Sequence, residues 1–175
     1  VQNIGWQKNS YNGETAGTTG LGLRMESLKI SLINLSNGLT NSNSHIQYQG
    51  YVQNIGWQNP VQDGTIAGTV GQGLRFEAIK MNLSGEIANQ YDLYYRVQAQ
   101  NIGWMDWAKN GEAAGTSSMG YRLEAIQIQL VKKGGTAPGQ TSFTFLTAPS
   151  IEYSSELQSI GWQNTVTDGN ISGTT

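Results

Sequence analysis

Residues 53–83 read QNIGWQNPVQDGTIAGTVGQGLRFEAIKMNL, and the fold turns on the recurrence of that stretch. The same block of about thirty residues opens at Gln2, Gln53 and Gln100 without an insertion or deletion, and starts again as QSIGW at Gln158. Trp6, Trp57, Trp104 and Trp162 are followed at one fixed spacing by Gly13, Gly64, Gly111 and Gly169. Gly-Thr pairs come next, at 17–18, 68–69, 115–116 and 173–174. A period of about fifty residues reduces the fold to one unit and its copies. A site built into the unit would occur several times over.

Each complete copy opens on residues rich in β-branched and aromatic side chains, as in Leu93–Trp104, which predicts a strand. Tyr48, Tyr95 and Tyr153 hold one equivalent position in it. The Gly before each Trp predicts a bulge or a close backbone approach. The block closes on a second strand in which Leu28, Ile30 and Leu32 share one face and Lys29 and Ser31 take the other. Ile79, Met81 and Leu83, then Ile126, Ile128 and Leu130, repeat that face, and Arg24 and Glu26 start the strand on it. Between the long strands, Asn12-Gly13, Asp63-Gly64, Asn110-Gly111 and Asp168-Gly169 are turn dipeptides that predict a short hairpin.

Long strand, short hairpin, long strand, repeated three times, predicts an all-β, pseudo-threefold body. A β-trefoil fits this count best, and a three-sheet β-prism is the alternative. The domain is expected over residues 1–140, with copies at about 1–35, 46–85 and 91–140, followed by a linker and a partial fourth repeat over 141–175. Copy one lacks the start of its first strand and copy four lacks its closing strand. The chain therefore reads either as a mature or excised piece of a longer array, or as one whose neighbours complete it head to tail. The Phe143–Leu146 patch is a candidate for such a contact between chains.

Composition narrows the function. Charged residues make up 13% of the chain, the net charge is −2 and no basic cluster occurs, so a nucleic-acid partner has no electrostatic basis. Absence of cysteine excludes disulfides, thiolate catalysis and zinc–thiolate sites. No apolar run approaches the roughly 18–20 residues of a membrane helix, so membrane insertion is not expected. Lone His45 has no His or Cys beside it, and the Asp residues form no calcium loop, so neither metal nor cofactor is expected. No nucleophile–base pair or dinucleotide fingerprint is present, and an enzyme is not expected.

Candidate contact residues lie in the repeated motif. Trp6, Trp57, Trp104 and Trp162 offer aromatic faces for sugar rings, although a fixed Trp in every copy is equally what core packing produces. Trp107 has Asn9, Pro60 and Thr165 as its equivalents, which marks it as an exposed contact special to copy three. Asn3, Asn54 and Asn101, with Gln2, Gln53 and Gln100, suit hydroxyl recognition or backbone pairing. The pairs Arg24–Glu26, Arg75–Glu77 and Arg122–Glu124 read as structural ion pairs rather than as hydrolytic carboxylates.

QNIGW, then Gly, then A-G-T, then L-R-X-E-A-I, closely resembles the clostridial hydrophobic repeat with its distinctive tryptophan, called ChW. Residues 100–130 carry the nearest likeness. Where members of that family often have His, this chain has Tyr51, Gln98 and Glu156, so no role of that His is carried over. The resemblance implies an accessory module of secreted Gram-positive proteins, extracellular or cell-wall-associated. Such modules attach to cell-wall or surface polysaccharide, or to a protein partner. Two functions are accordingly expected: a multivalent, non-catalytic glycan-binding module, or a structural module that self-assembles through its incomplete ends into a head-to-tail homo-oligomer.

Overall fold

A computed structural model describes residues 1–33, 35, 39–40, 42–168 and 170–173. Gly169, Thr174 and part of the 33–44 link lie outside the described residues. The chain is all-β, with one helical turn at Ile87–Gln90 among the described residues.

Lobe two shows how the block folds. Its opening strand, Ser44–Val52, reverses at Gln53-Asn54-Ile55, where Ile55 N–H donates to Val52 C=O (3.0 Å) and Asn54 takes φ 62°. Gly56 follows at φ 82°. The chain then runs back along its own opening strand as Gly56–Trp57 and Val61–Gln62, pairing Tyr51 with Trp57 and Tyr48 with Val61. The motif is thus a reversal, not the continuous strand expected over Leu93–Trp104. Lobe three repeats it with opening strand Tyr91–Ala99 and return strands Gly103–Trp104 and Ala108–Lys109. Gly56 and Gly103 serve positive φ rather than a bulge or a close approach, because a Cβ on either would meet nothing nearer than 4.0 Å.

The expected short hairpin does not close on itself. Its second strand crosses to the lobe before. Ala67–Gly68 of lobe two pairs with Ser27–Leu28, the closing strand of lobe one. Ala114–Ser117 of lobe three pairs with Phe76–Gly85, the closing strand of lobe two. Thr15–Gly17 of lobe one pairs with Leu123–Lys132, the closing strand of lobe three. The exchange runs round a closed cycle of three. It also explains A-G-T. A Cβ on Gly17, Gly68 or Gly115 would lie 2.3, 2.3 or 2.5 Å from the carbonyl oxygen of Glu124, Glu26 or Glu77 on the strand crossed. The next residue then bonds to the same carbonyls: Thr18 N–H donates to Glu124 and Thr69 N–H to Glu26, each at 2.9 Å.

In lobes two and three the closing strand pairs with its own opening strand on the other edge, in lobe two from Ser44 with Gly85 to Val52 with Phe76 and in lobe three from Tyr91 with Lys132 to Ala99 with Leu123. Ile46, Tyr48, Ile79, Met81, Leu83, Leu93, Tyr95, Val97 and Ile126 fill the core between lobes. Full burial of one such aliphatic side chain stabilises the fold by about 1.5–3 kcal/mol. The expected alternation breaks near the strand start. A register shift beside Glu77, repeated at Glu124, turns Phe76 and Leu123 inward with Met25, and all three are buried at the centre of the cycle. Met25 N–H donates to Leu123 C=O (2.7 Å) and Phe76 N–H to Met25 C=O (3.1 Å), knitting the three lobes together there. Arg and Glu therefore do not share the face of the aliphatic triplet, as the alternation alone implied.

The repeated tyrosine locks one lobe to the next. Tyr95 Oη accepts from Met81 N–H (3.0 Å) in lobe two and donates to Glu112 C=O in its own lobe. Tyr48 Oη does the same between Ile30 N–H (3.0 Å) and Thr65 C=O.

The 140–147 segment belongs to the three-lobe body. Phe145–Thr147 runs parallel to the crossing strand of lobe three, Gly115 facing Phe145. The cause is local. In lobes one and two the Gln after Trp pins the crossing strand, Gln7 Oε1 accepting from Gly17 N–H (2.9 Å) and Gln58 Oε1 from Gly68 N–H (2.8 Å). Lobe three has buried Met105 there, and Gly115 N–H donates instead to Thr144 C=O at 3.0 Å. The Phe143–Leu146 patch is thus largely engaged within the chain, with Phe145 against Trp57 at 6.4 Å between ring centroids and Leu146 packed on the core. Beyond it, among the described residues, the strands of the fourth copy pair only with one another, Glu152–Tyr153 with Val166–Thr167 and Glu156–Leu157 with Gly161–Trp162.

Candidate binding site

The four repeated tryptophans are not core. Trp6 is 53% exposed, Trp162 is 70% exposed, and Trp57 and Trp104 are half-buried. They stand on the outer face because the return strand places Trp57 opposite Tyr51 and Trp104 opposite Gln98, whose own side chains point away from the core. The core place that a Trp plug would take is filled by Tyr48, Tyr95 and Phe76.

Each of the three lobes sets a cation over its tryptophan. Lys29 Nζ lies 4.7 Å from the Trp6 ring centroid, and Lys80 Nζ lies 4.5 Å from that of Trp57. In lobe three the equivalent of those lysines is Gln127, yet the arrangement persists. Arg96, from the opening strand, lies 4.9 Å from the Trp104 centroid and donates from Nε to Gln127 Oε1 at 2.7 Å. Such a contact contributes about 0.5–1 kcal/mol at an exposed site. Sequence reasoning put Lys29 on the outward face but missed its pairing with Trp. The signal was there in Lys29 and Lys80 at one repeat position. Arg96 had no such signal. Tyr51 meets Trp57 edge-on at 5.5 Å, so lobe two presents an aromatic pair beside its cation.

Trp107, expected to be an exposed contact, is 6% exposed. The linker covers it: Gly139 packs on the indole so closely that a Cβ there would lie 3.1 Å from the ring, and Trp107 N–H donates to Gln140 C=O (2.8 Å). Arg96 lies 4.9 Å from its centroid. Asp106 beside it accepts from Ser142 N–H and Phe143 N–H at 3.1 and 2.9 Å. The Met105-Asp106-Trp107 departure from the repeat is a clasp for the linker.

Asn3, Asn54 and Asn101 are exposed at the reversal, each with φ of 60–63°. That backbone requirement accounts for Asn, which tolerates left-handed φ, and Ser159 meets it in copy four at φ 65°. The Arg–Glu pairs form in all three lobes: Arg24–Glu26 at 2.8 Å, Arg75–Glu77 at 3.0 Å and Arg122–Glu124 at 2.8 Å. Each Arg also reaches the glycine loop of the following lobe, where a Cβ on Gly73, Gly120 or Gly22 would lie 3.3, 3.5 or 3.3 Å from its Nη2. These pairs sit beside the central residues Met25, Phe76 and Leu123 and belong to the frame.

Two further polar clusters occupy one repeat position. In lobe two His45 Nδ1 meets Asp63 Oδ2 at 2.6 Å. In lobe three the roles reverse. Buried Asp92 receives Lys133 Nζ (2.9 Å), Lys109 Nζ (3.0 Å), Asn110 Nδ2 (2.8 Å) and Gly134 N–H (3.1 Å). Lys133 above all, with Asn110 and Lys109, holds the Asp92 carboxyl well below the usual carboxylate range despite its burial. A depressed folded pKa gives stability that is present above the unfolded value of about 3.9 and lost as pH falls toward the folded one. Asp92→Asn is therefore expected to lower the melting temperature at pH 7, with the gap to wild type narrowing progressively as pH falls from about 4 to about 2. Thermal melts followed by circular dichroism across that range check it. A gap that stays constant would contradict the assignment.

No group of three or more His, Cys, Asp or Glu side chains suited to a metal occurs among the described residues. Nor is any helix among them long and apolar enough to cross a membrane. The model of one protein family, described as ChW, clostridial hydrophobic W, matches residues 1–34, 51–85, 98–132 and 157–175. Neither a curated protein nor a solved structure matches the chain.

Proposed function

Because this chain belongs to the clostridial hydrophobic W family, we propose that it is a non-catalytic, secreted or cell-wall-associated binding module for surface polysaccharide. The observation that carries the reading is the outward tryptophan of each lobe with a cation 4.5–4.9 Å from its ring. An indole face accepts the apolar face of a sugar ring, and the ammonium or guanidinium suits the carboxylate or phosphate of an anionic wall polymer. Exposed Asn3, Asn54 and Asn101 add amides beside each tryptophan. Each site is shallow, and three on one rigid body gain by multivalency.

Co-sedimentation with cell-wall polysaccharide tests this. Wild-type protein should pellet with the polymer, and each of Trp6→Ala, Trp57→Ala and Trp104→Ala should cost about 1–2 kcal/mol of apparent affinity. Failure of the wild type to bind peptidoglycan, teichoic polymer or polysaccharide would remove the reading.

For the architecture, the pairing supports a three-sheet β-prism over the β-trefoil. In a trefoil the two short strands of a lobe would pair with each other as a cap hairpin. Here the return strand lies on its own opening strand and the crossing strand on the neighbour's closing strand.

A further inference from the structure

Resting on the reading of the outward tryptophans as glycan contacts, we propose that Lys29 and Lys80 select an acidic sugar by taking its carboxylate or phosphate, whereas Arg96 of lobe three is committed to the frame. Between lobes two and three the cation and a glutamine have changed strands. Lys80 on the closing strand of lobe two pairs across with Gln49, and Gln127 on the closing strand of lobe three pairs across with Arg96. In both lobes the cation lies over the repeated indole. The strand it comes from decides what else it touches.

From the opening strand, Arg96 lies 4.9 Å from the Trp104 centroid and equally 4.9 Å from that of Trp107. Its Nε donates to Gln127 Oε1 at 2.7 Å, and Gln127 Nε2 donates onward to Thr15 Oγ1 of lobe one at 2.9 Å. A planar, delocalised guanidinium suits such a place between aromatic rings. Drawing it out to a ligand would break both ring contacts and the hydrogen bond, and would loosen the buried Trp107 that clasps the linker. Lobe three therefore offers its indole and amides to uncharged parts of the polymer.

Lobe two has Pro60 where lobe three has Trp107, so the closing-strand cation meets one indole only, Trp57 at 4.5 Å. Lys29 holds the same repeat position over Trp6 at 4.7 Å. Among the described residues no ion pair takes either lysine. An ammonium carries three donors, and an indole face accepts none of them as a carboxylate or phosphate oxygen does. In lobe two the charge stands in a wider setting. Tyr51 meets Trp57 edge-on at 5.5 Å, Phe145 lies 6.4 Å from it, and the Tyr51 hydroxyl is 3.5 Å from that of exposed Ser118 on the loop of lobe three. Rings for the C–H face of a sugar, hydroxyls for its hydroxyls and an ammonium for its anion thus converge on one patch.

Co-sedimentation with insoluble cell walls that retain their anionic polymers tests this. The walls are used untreated, after hydrofluoric acid has removed phosphate-linked polymer, and after carbodiimide coupling to an uncharged amine has capped the carboxylates. Wild type should bind untreated walls and lose at least about tenfold in apparent affinity on one treated form or both, which assigns the anion as phosphate, carboxylate or either. Lys80→Gln should bind untreated walls about tenfold more weakly. Glutamine already stands at this repeat position in lobe three, so the variant should melt with wild type. Lys29→Gln with Lys80→Gln should no longer distinguish untreated from treated walls. Lys132→Gln, which removes the same charge at the exposed end of the closing strand of lobe three, should bind as wild type does. Wild-type binding indifferent to both treatments, or equal losses in Lys80→Gln and Lys132→Gln, would overturn selection of the anion and leave the glycan reading standing. A double variant that still distinguishes the walls would mean that Arg96 reads the anion too, and would overturn the division between lobes. A wild type that binds no form of the wall would remove the glycan reading and this inference with it.

Discussion

Replacing Gly115 with alanine is expected to cost about 4 kcal/mol of folding stability, the sum of a strained backbone and an overpacked crossing. Gly115 sits at φ 115°, where an L side chain is rarely found. Its added Cβ would lie 2.5 Å from Glu77 O, 2.8 Å from Ala78 Cα and 3.1 Å from Ala78 Cβ. Two of those three atoms are backbone in the middle of a paired strand, so nothing flexible yields. Relief requires lobe three to lift from lobe two, which uncovers the core between them. Gly111→Ala separates the two contributions. That glycine also has positive φ, at 96°, but a Cβ there meets nothing within 4 Å. It should cost only about 1–2 kcal/mol. Urea denaturation of both variants measures the difference. Equal losses would mean that close crossing is not what the Gly of A-G-T serves.

Tyr95→Phe is expected to cost about 3 kcal/mol, because it strands two buried backbone groups at once. The hydroxyl is the partner of Met81 N–H in lobe two and of Glu112 C=O in lobe three, and the ring around it is fully buried. Phenylalanine keeps the packing and removes only the bridge. Burial also pushes the Tyr95 hydroxyl up, well above the ordinary tyrosine range, so it is protonated and able to donate at neutral pH. The control lies in the same molecule. Tyr153 Oη makes the equivalent bond to Asn170 C=O, but at an exposed position outside the three-lobe body. Tyr153→Phe should leave the global transition within about 0.5 kcal/mol of wild type. Calorimetry on the two variants decides the matter, and a mild Tyr95→Phe would show that the lobes are held by packing alone.

Much of this was legible in the chain, and the part that was not has a common cause. The spacing of Tyr48, Tyr95 and Tyr153 before Trp and the aliphatic triplets gave the long strands, because a period of two with one buried face leaves little choice. The choice of partner edge did not show. Nothing in the residues 67–69 says that the strand pairs with Ser27–Leu28 rather than with its own turn partner, since strand pairing is fixed by which edges meet in space. The register shift beside Glu77 was hidden too, so Phe76 was not recognised as core. For the site, the repeat position of Trp was plain but its side was not, because an invariant indole satisfies a core and a contact surface equally well. Trp107 misled for the opposite reason. Its uniqueness to copy three was a true signal, but of a clasp on residues 139–143 that only the linker's return could reveal.

The closed exchange of crossing strands limits how such chains can grow. All three closing strands already carry a neighbour's crossing strand, at Ala16 with Ile126, Leu28 with Ala67 and Ile79 with Ala114. A further repeat finds no free rail within the ring and has to found another. Extra length therefore adds useful bodies in triplets, and a remainder of one or two repeats stays an unsatisfied valence.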